Sequence, residues 1–147
     1  MKELYFYVLF VAIFAAQAGL ILDGGLDPVS SYSTRNILFN VFIAAVVIYM
    51  GWNLSNFGIK KVALKGAIAA FVGVTVLACA SIIGYTTGKP ILGVSIPSAT
   101  YMLVPILSML LLDVILYALL AALGAWVAQR FKPSQIKEKE KAAEKNE

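Results

Sequence analysis

Four long runs without charged residues constrain this chain more than any other feature. Three are uncharged throughout, and only Asp113 interrupts the fourth; they cover residues 4–22, 36–59, 66–88 and 101–129. A transmembrane helix needs roughly 20 mostly apolar residues to cross a hydrocarbon core of about 30 Å. Backbone groups cannot stay unpaired in lipid, and the runs do not alternate as barrel strands do. The sequence therefore predicts an all-α, four-transmembrane-helix bundle over residues 1–131.

The amino-acid composition is also that of a protein surrounded by lipid. Hydrophobic residues make up 61% of the 147 positions and charged residues only 14%, whereas soluble domains carry about 25% charged residues. The character changes abruptly after Phe131, where "KPSQIKEKEKAAEKNE" mixes Lys and Glu with almost no apolar residues. Such a segment cannot build a core. We expect residues 132–147 to form a charged, solvated cytoplasmic tail.

The basic residues predict how the bundle is oriented. With four spans, all but two of the 12 Lys and Arg residues fall on one side of the membrane, and the exceptions are Arg35 and Lys89. Lys and Arg accumulate in cytoplasmic loops. Both termini are therefore expected in the cytoplasm, with short outer loops at residues 23–35 and 89–100. We expect an integral membrane protein of a prokaryotic plasma membrane.

The net charge of +4 comes mostly from this inner-face excess. Basic residues close to a membrane surface are attracted to anionic lipids. The expected partners are thus membrane lipids and other membrane subunits or further copies of the chain, and no nucleic acid. The candidate headgroup contacts are Lys60, Lys61, Lys65, Arg130 and Lys132.

Two further sequence patterns are a possible N-terminal signal peptide and a possible internal repeat. Lys2, the following apolar run and "AQA" at residues 16–18 resemble a secretory signal peptide with its cleavage site, although the apolar run continues beyond Ala18. In addition, "ILDGGLDPVSSY" at residues 21–32 resembles "ILGVSIPSATY" at residues 91–101, about 70 positions later. This spacing is compatible with a tandem helical-hairpin repeat, and also with the Gly, Pro and Ser content common in loops.

The residues that are absent argue against most enzyme chemistry. The chain has no His, which removes His-ligated metals and the usual general acid and base. Its one cysteine, Cys79, can form neither an intrachain disulfide nor a multi-thiolate metal site, and is expected to be a small core residue. We therefore expect no catalytic residues, no metal, no cofactor and no enzymatic activity.

Asp113 lies in the sequence "MLLLDVILYALL", deep within the fourth run. An ionised Asp at the centre of a membrane helix costs roughly 2.5 to 3.5 kcal/mol, so such residues usually face a bundle interior or water and have a function. Desolvation favours the neutral carboxyl. Asp113 fits an interhelical hydrogen bond or subunit contact best, and a proton or ion site is the alternative.

Other polar residues in the runs lie at related depths. Tyr117 is the one polar neighbour of Asp113 on its own helix, at i+4. A path through the bundle is conceivable, because the fixed orientation of the spans allows their depths to be compared. It would include Asn40, Gln17, Asp113, Thr75 and Asn53.

These features lead to two functional expectations. The first is a small polytopic membrane protein that acts as a non-catalytic subunit of a larger transport or energy-converting complex. The alternative is a homo-oligomeric proton or cation channel or carrier that uses Asp113. Small residues at four-residue spacing, which allow helices to pack closely, are compatible with either role.

Overall fold

A computed structural model of the chain describes residues 2–31, 33–92 and 99–131. These residues form four α-helices, α1 (Lys2–Asp23), α2 (Thr34–Asn53), α3 (Ile59–Thr86) and α4 (Ala99–Phe131), and no strand lies within them. Each helix is long and apolar enough to cross a membrane. The predicted all-α, four-helix architecture is thereby confirmed. The predicted tail at 132–147 lies outside the described residues.

The connection between α2 and α3 is shorter than the uncharged runs suggest. α2 ends at Asn53, one turn of 3₁₀ helix covers Ser55–Phe57, and α3 begins at Ile59 after Gly58, whose φ is +82°. Glycine adopts this positive φ without the steric cost that other residues meet. The basic residues Lys60, Lys61 and Lys65 therefore belong to α3 itself. A helix can continue into the headgroup region because lysines there extend their charges toward water.

Helix α4 packs at backbone distance against both α2 and α3. Ala121, which has no exposed surface, lies where α4 meets both helices. A Cβ atom added to Gly51 of α2 would meet the Ala121 carbonyl, and one added to Gly66 of α3 would meet the Tyr117 carbonyl and the Ala121 side chain. Close approach of this kind favours small residues in membrane helix interfaces. Three helices thus meet around one alanine.

The seam between α1 and α2 is built differently. These two helices make few close backbone contacts, and aromatic side chains of α1 pack against α2, α4 and α3 in turn. The rings of Phe6 and Tyr49 lie 6.3 Å apart, and those of Phe10 and Tyr117 lie 6.2 Å apart. Phe14 fits against Gly73 of α3. Because rings rather than backbones set the spacing here, this side of the bundle leaves room between helices.

The α1–α2 and α3–α4 connections, which the sequence predicts on the outer side of the membrane, are bonded to each other and to the helix ends. Ser33 caps α2 by accepting a hydrogen bond from the Asn36 amide. The Val29 amide donates to the Ile91 carbonyl at 2.8 Å, and Lys89 Nζ donates to the Leu22 carbonyl at 2.6 Å. The first outer connection is therefore tied to the segment that follows α3.

Asn36 organises the loop before α2. Its Nδ2 atom donates to the Pro28 carbonyl, to the Ser31 carbonyl and to Ser31 Oγ, at 2.8 to 3.1 Å, and its side chain is buried. We expect Asn36→Leu to lower the free energy of unfolding by about 1 to 3 kcal/mol, because buried acceptors lose their donor. Asn53→Leu removes a single bond to the Tyr49 carbonyl near the other end of α2 and is the control. Thermal unfolding in detergent measures both; equal midpoints would contradict this role.

Helix α4 is unusual in its length and exposure. At 1.5 Å per residue its 33 residues extend about 50 Å, beyond a hydrocarbon core of about 30 Å. Only 11% of an apolar 18-residue stretch of α4 is buried within the chain, compared with 28% to 39% for the other helices. Small residues form its internal contacts, so its large apolar side chains face outward.

The expectation that Cys79 is a core residue is wrong. Its side chain is exposed on α3, in a groove between α3 and α4. Leu77 and Ser81, on the buried side of the same helix, flank it in sequence. Sequence patterning could not separate these faces because lipid-facing and core-facing positions are both apolar.

Candidate functional site

A cavity of about 180 Å³ lies among α1, α2 and α4 and contains the intramembrane carboxylate. Its polar side chains come from three helices: Gln17 from α1, Asn40 from α2, and Asp113 and Tyr117 from α4. Six further residues form the rest of the cavity wall, five from the helices and one from the outer loop. They are Phe14, Ala44, Leu77, Met109, Leu116 and the loop residue Val29.

The cavity lies toward the outer end of the bundle. Gln17 precedes the end of α1 at Asp23 by six residues, and Asn40 follows the start of α2 at Thr34 by six. At 1.5 Å per residue, both are about 9 Å from their helix ends. Val29, in the outer loop, contributes to the wall. Asp113 therefore lies at the level of the first two turns below the outer loop.

The polar groups of this cavity are not paired with one another. Within the described part of the chain, Gln17, Asn40, Asp113 and Tyr117 side chains make no hydrogen bond, and Asp113 makes no ion pair. Gln17 is only 3% exposed, and its Oε1 atom is buried without a partner. A buried polar group without a partner costs about 1 to 3 kcal/mol. One such atom, Gln17 Oε1, lies beside the unpaired side chains of Asp113, which is half-buried, and Asn40, which is exposed. This arrangement favours a site that takes a polar ligand or water.

Aromatic and aliphatic residues separate the cavity from the inner half of the bundle. Phe10 has no exposed surface and lies between the rings of Phe14, at 6.5 Å, and Tyr117, at 6.2 Å. Val47 and Met50 of α2, at greater depth, are fully buried as well. Among the described residues, no continuous polar path leads inward from Asp113 through a single copy. The cavity is closed below and lies near the outer surface.

Two of the proposed path residues do not belong to the cavity. Thr75 lines the separate apolar groove that also contains Cys79, and its hydroxyl donates to the Phe71 carbonyl at 2.7 Å. Asn53 lies at the inner end of α2 and donates to the Tyr49 carbonyl at 2.9 Å. The predicted chain of five residues is thus corrected to Gln17, Asn40 and Asp113, with Tyr117 beside them. Depth along the sequence was the basis of the prediction, and depth does not determine which face a residue occupies.

The candidate headgroup residues lie at the opposite end of the bundle. Lys60 and Lys61 are exposed in the first turn of α3, and the Lys65 ammonium lies 4.9 Å from the centre of the Phe57 ring. Arg130 lies 5.3 Å from the Trp126 ring near the end of α4. Gln129 joins this end to the 3₁₀ turn by donating to the Ser55 carbonyl. Lys132 lies outside the described residues. Cations above aromatic rings are typical of the interfacial region.

Residues that sequence reasoning missed are those contributed by the outer loop. Val29 closes one side of the cavity, and Asn36 fixes the loop that carries Val29. The only sequence signal was Asn36 in "SYSTRN" at residues 31–36, two positions after Thr34, where α2 begins. An apolar residue in a loop carries no pattern from which its place in the wall of this cavity could be predicted.

The described residues contain no group of three or more His, Cys, Asp or Glu side chains that could hold a metal ion. The cavity instead offers one carboxylate, two amides and a phenol, which bind hard cations, protons or hydrogen-bonding molecules. In comparisons with known proteins, no family model, no curated protein and no solved structure matches the chain. What the site does is inferred from its own residues.

Proposed function

We propose that this protein is a non-catalytic subunit of a larger transport or energy-converting complex in a prokaryotic plasma membrane. The observation that carries the proposal is the position of Asp113. It is the one acidic residue that lies well inside a described helix, it is only half-buried, and its helix is the least covered of the four. A further membrane subunit against α4 would cover this surface.

The energetics of lipid support a partner. An ionised carboxylate at the centre of a lipid-exposed helix costs roughly 2.5 to 3.5 kcal/mol, and protein or water around it removes much of this cost. The outward residues beside Asp113 are large and apolar, and they supply no hydrogen bond. They include Leu111, Leu112, Ile115 and Leu116. A partner can offer a donor or a water-filled contact on the outward face of α4, where this chain presents only leucine and isoleucine beside Asp113.

The decisive experiment is purification of the tagged protein in a gentle detergent, followed by mass spectrometry of the proteins that co-elute. Wild type is compared with Asp113→Asn, which keeps hydrogen bonding and removes the charge. We expect wild type to carry a stoichiometric set of larger membrane proteins and the variant to retain much less of them. Thr75→Val removes a polar group in the other groove and should leave partner retention unchanged.

Elution of wild type alone, as a discrete homo-oligomer, would contradict the subunit role. If Asp113→Asn retains as much of the partners as wild type does, the protein is a subunit whose contact does not depend on this carboxylate. That result would contradict the proposed contact.

A second candidate function is a homo-oligomeric cation or proton channel or carrier. The observation that favours it is the convergence of Gln17, Asn40 and Asp113, from three helices, on one cavity. Because aromatic residues close the cavity below, conduction would require several copies that line a shared path. Liposomes that contain only this protein should then show cation or proton flux, and Asp113→Asn should abolish it. Liposomes without flux would exclude this candidate.

A further inference from the structure

The charge and the oxygen atoms of the cavity between α1, α2 and α4 determine which ligand it prefers. Its lining includes the carboxylate-bearing Asp113, the amides Gln17 and Asn40, and the phenol Tyr117, and the Gln17 Oε1 atom is buried there without a partner. The structure assigns to this cavity a binding site for one small monovalent inorganic cation of the sodium class. The inference deepens the second candidate function and rests on it for its physiological meaning.

The first argument is the surplus of acceptors. Gln17 Oε1 is buried without a partner, and Asp113 accepts no hydrogen bond from any described residue. The amide groups and the phenol could donate hydrogen bonds, but none of them donates to Gln17 Oε1 or to the Asp113 carboxylate. A cation satisfies several oxygens at once, which a single donor cannot do. Oxygen atoms of carboxylates and amides are the ligands that hard cations select.

The second argument is charge. The one ionisable acid in the cavity is Asp113, and no described Lys or Arg lines the space. A monovalent cation makes the site neutral, whereas a divalent cation would leave an uncompensated positive charge among apolar residues, which is costly. Calcium also requires six to eight oxygens, more than these four side chains supply. Charge and ligand number therefore agree on a monovalent ion.

The third argument is size and surroundings. A cavity of about 180 Å³ holds an ion with a few waters, because each water occupies about 30 Å³ in the liquid. Phe14, Leu77, Met109 and Leu116 form an apolar wall around the oxygens. Attraction between opposite charges is stronger in such surroundings than in water. The buried position of Gln17 holds its amide in place before the ion arrives.

The experiment measures sodium binding to the protein as purified in gentle detergent. Choline chloride is exchanged for sodium chloride at constant ionic strength, and both the unfolding midpoint and the amount of bound radioactive sodium are recorded. We expect sodium to raise the midpoint and to bind at about one ion per chain. Calcium chloride at the same ionic strength should stabilise the protein less than sodium chloride.

Three variants assign the binding to the cavity. Asp113→Asn should weaken sodium affinity at least about tenfold, and Gln17→Met, which keeps the length of the side chain, should weaken it several-fold. Thr75→Val, a polar-to-apolar change in the other groove, should leave it unchanged. Gln17→Met retains the charge of Asp113 and therefore remains informative if Asp113→Asn does not fold.

Several results would overturn the inference. They are an identical midpoint in sodium and choline with no bound sodium, a stronger effect of calcium than of sodium, and equal affinity in wild type and Gln17→Met. Sodium binding is measured without partners and without flux. A protein that binds sodium but neither conducts nor retains partners would thus contradict the proposed functions and leave this inference intact.

Discussion

Ala121→Leu prevents the chain from forming its four-helix bundle, whereas Ala45→Leu leaves the bundle intact. Ala121 has no exposed surface and contacts both Gly51 of α2 and Gly66 of α3. Three added carbons must displace two helix backbones at once. Overpacking of a well-packed site typically costs about 1 to 3 kcal/mol, and the rigid backbone neighbours here place the expected effect at or above the upper end of that range.

Ala45→Leu is the matched control, because Ala45 is exposed on α2 and receives the same substitution. Detergent-solubilised protein is examined by size-exclusion chromatography and by thermal unfolding. The expected result is a lost or strongly reduced monodisperse peak for Ala121→Leu and an unchanged midpoint for Ala45→Leu. A stable, monodisperse Ala121→Leu variant would show that α4 does not approach α2 and α3 at this point.

Phe10→Ala has the second-largest expected effect, because Phe10 packs behind two residues that line the polar cavity, Phe14 and Tyr117. Its ring is completely buried between the rings of Phe14 and Tyr117. Replacing a buried Phe by Ala costs about 3 to 5 kcal/mol in water-soluble proteins, and in lipid the loss of packing contacts remains while the transfer from water contributes less. We expect destabilisation by about 3 kcal/mol and a cavity that extends into the inner half of the bundle.

Phe42→Ala is the matched control, since its ring is 53% exposed on α2. Thermal unfolding reports the stability difference, and proton leakage through liposomes reports whether the cavity has opened toward the inner half of the bundle. Phe10→Ala should lower the unfolding midpoint far more than Phe42→Ala and increase leakage. Similar midpoints for the two variants would contradict the buried position of Phe10 behind the cavity wall.

The sequence was sufficient to predict the number and type of the helices, for a simple physical reason. Lipid forces backbone groups to pair within each segment, so an uncharged run of about 20 residues leads to a helix almost regardless of its detailed sequence. Helix ends were less predictable. Lys60 and Lys65 were counted as loop residues because they are charged, yet they lie in α3, since the headgroup region accepts charged helical residues.

The site was predicted only in part, and the missing information concerns helix faces. In a water-soluble helix, a polar outer face marks the buried side by contrast. In this chain both faces are apolar, so Thr75 and Gln17 looked equivalent as neighbours of Asp113. Gln17 is buried at the cavity and Thr75 is exposed on another groove. The separation follows from the phase of α1 and α3, which depends on contacts such as Phe14 against Gly73.

The central claim is that Gln17 and Asp113 share one cavity from which Thr75 is excluded. It is tested most directly by cross-linking of paired cysteines in membranes, in a Cys79→Ser background. Gln17→Cys with Asp113→Cys is compared with Thr75→Cys with Asp113→Cys, using a short bifunctional thiol reagent and intact-mass detection of the monomer. We expect an intramolecular bridge in the first pair and none in the second. A bridge between residues 75 and 113, without one between 17 and 113, would contradict the cavity.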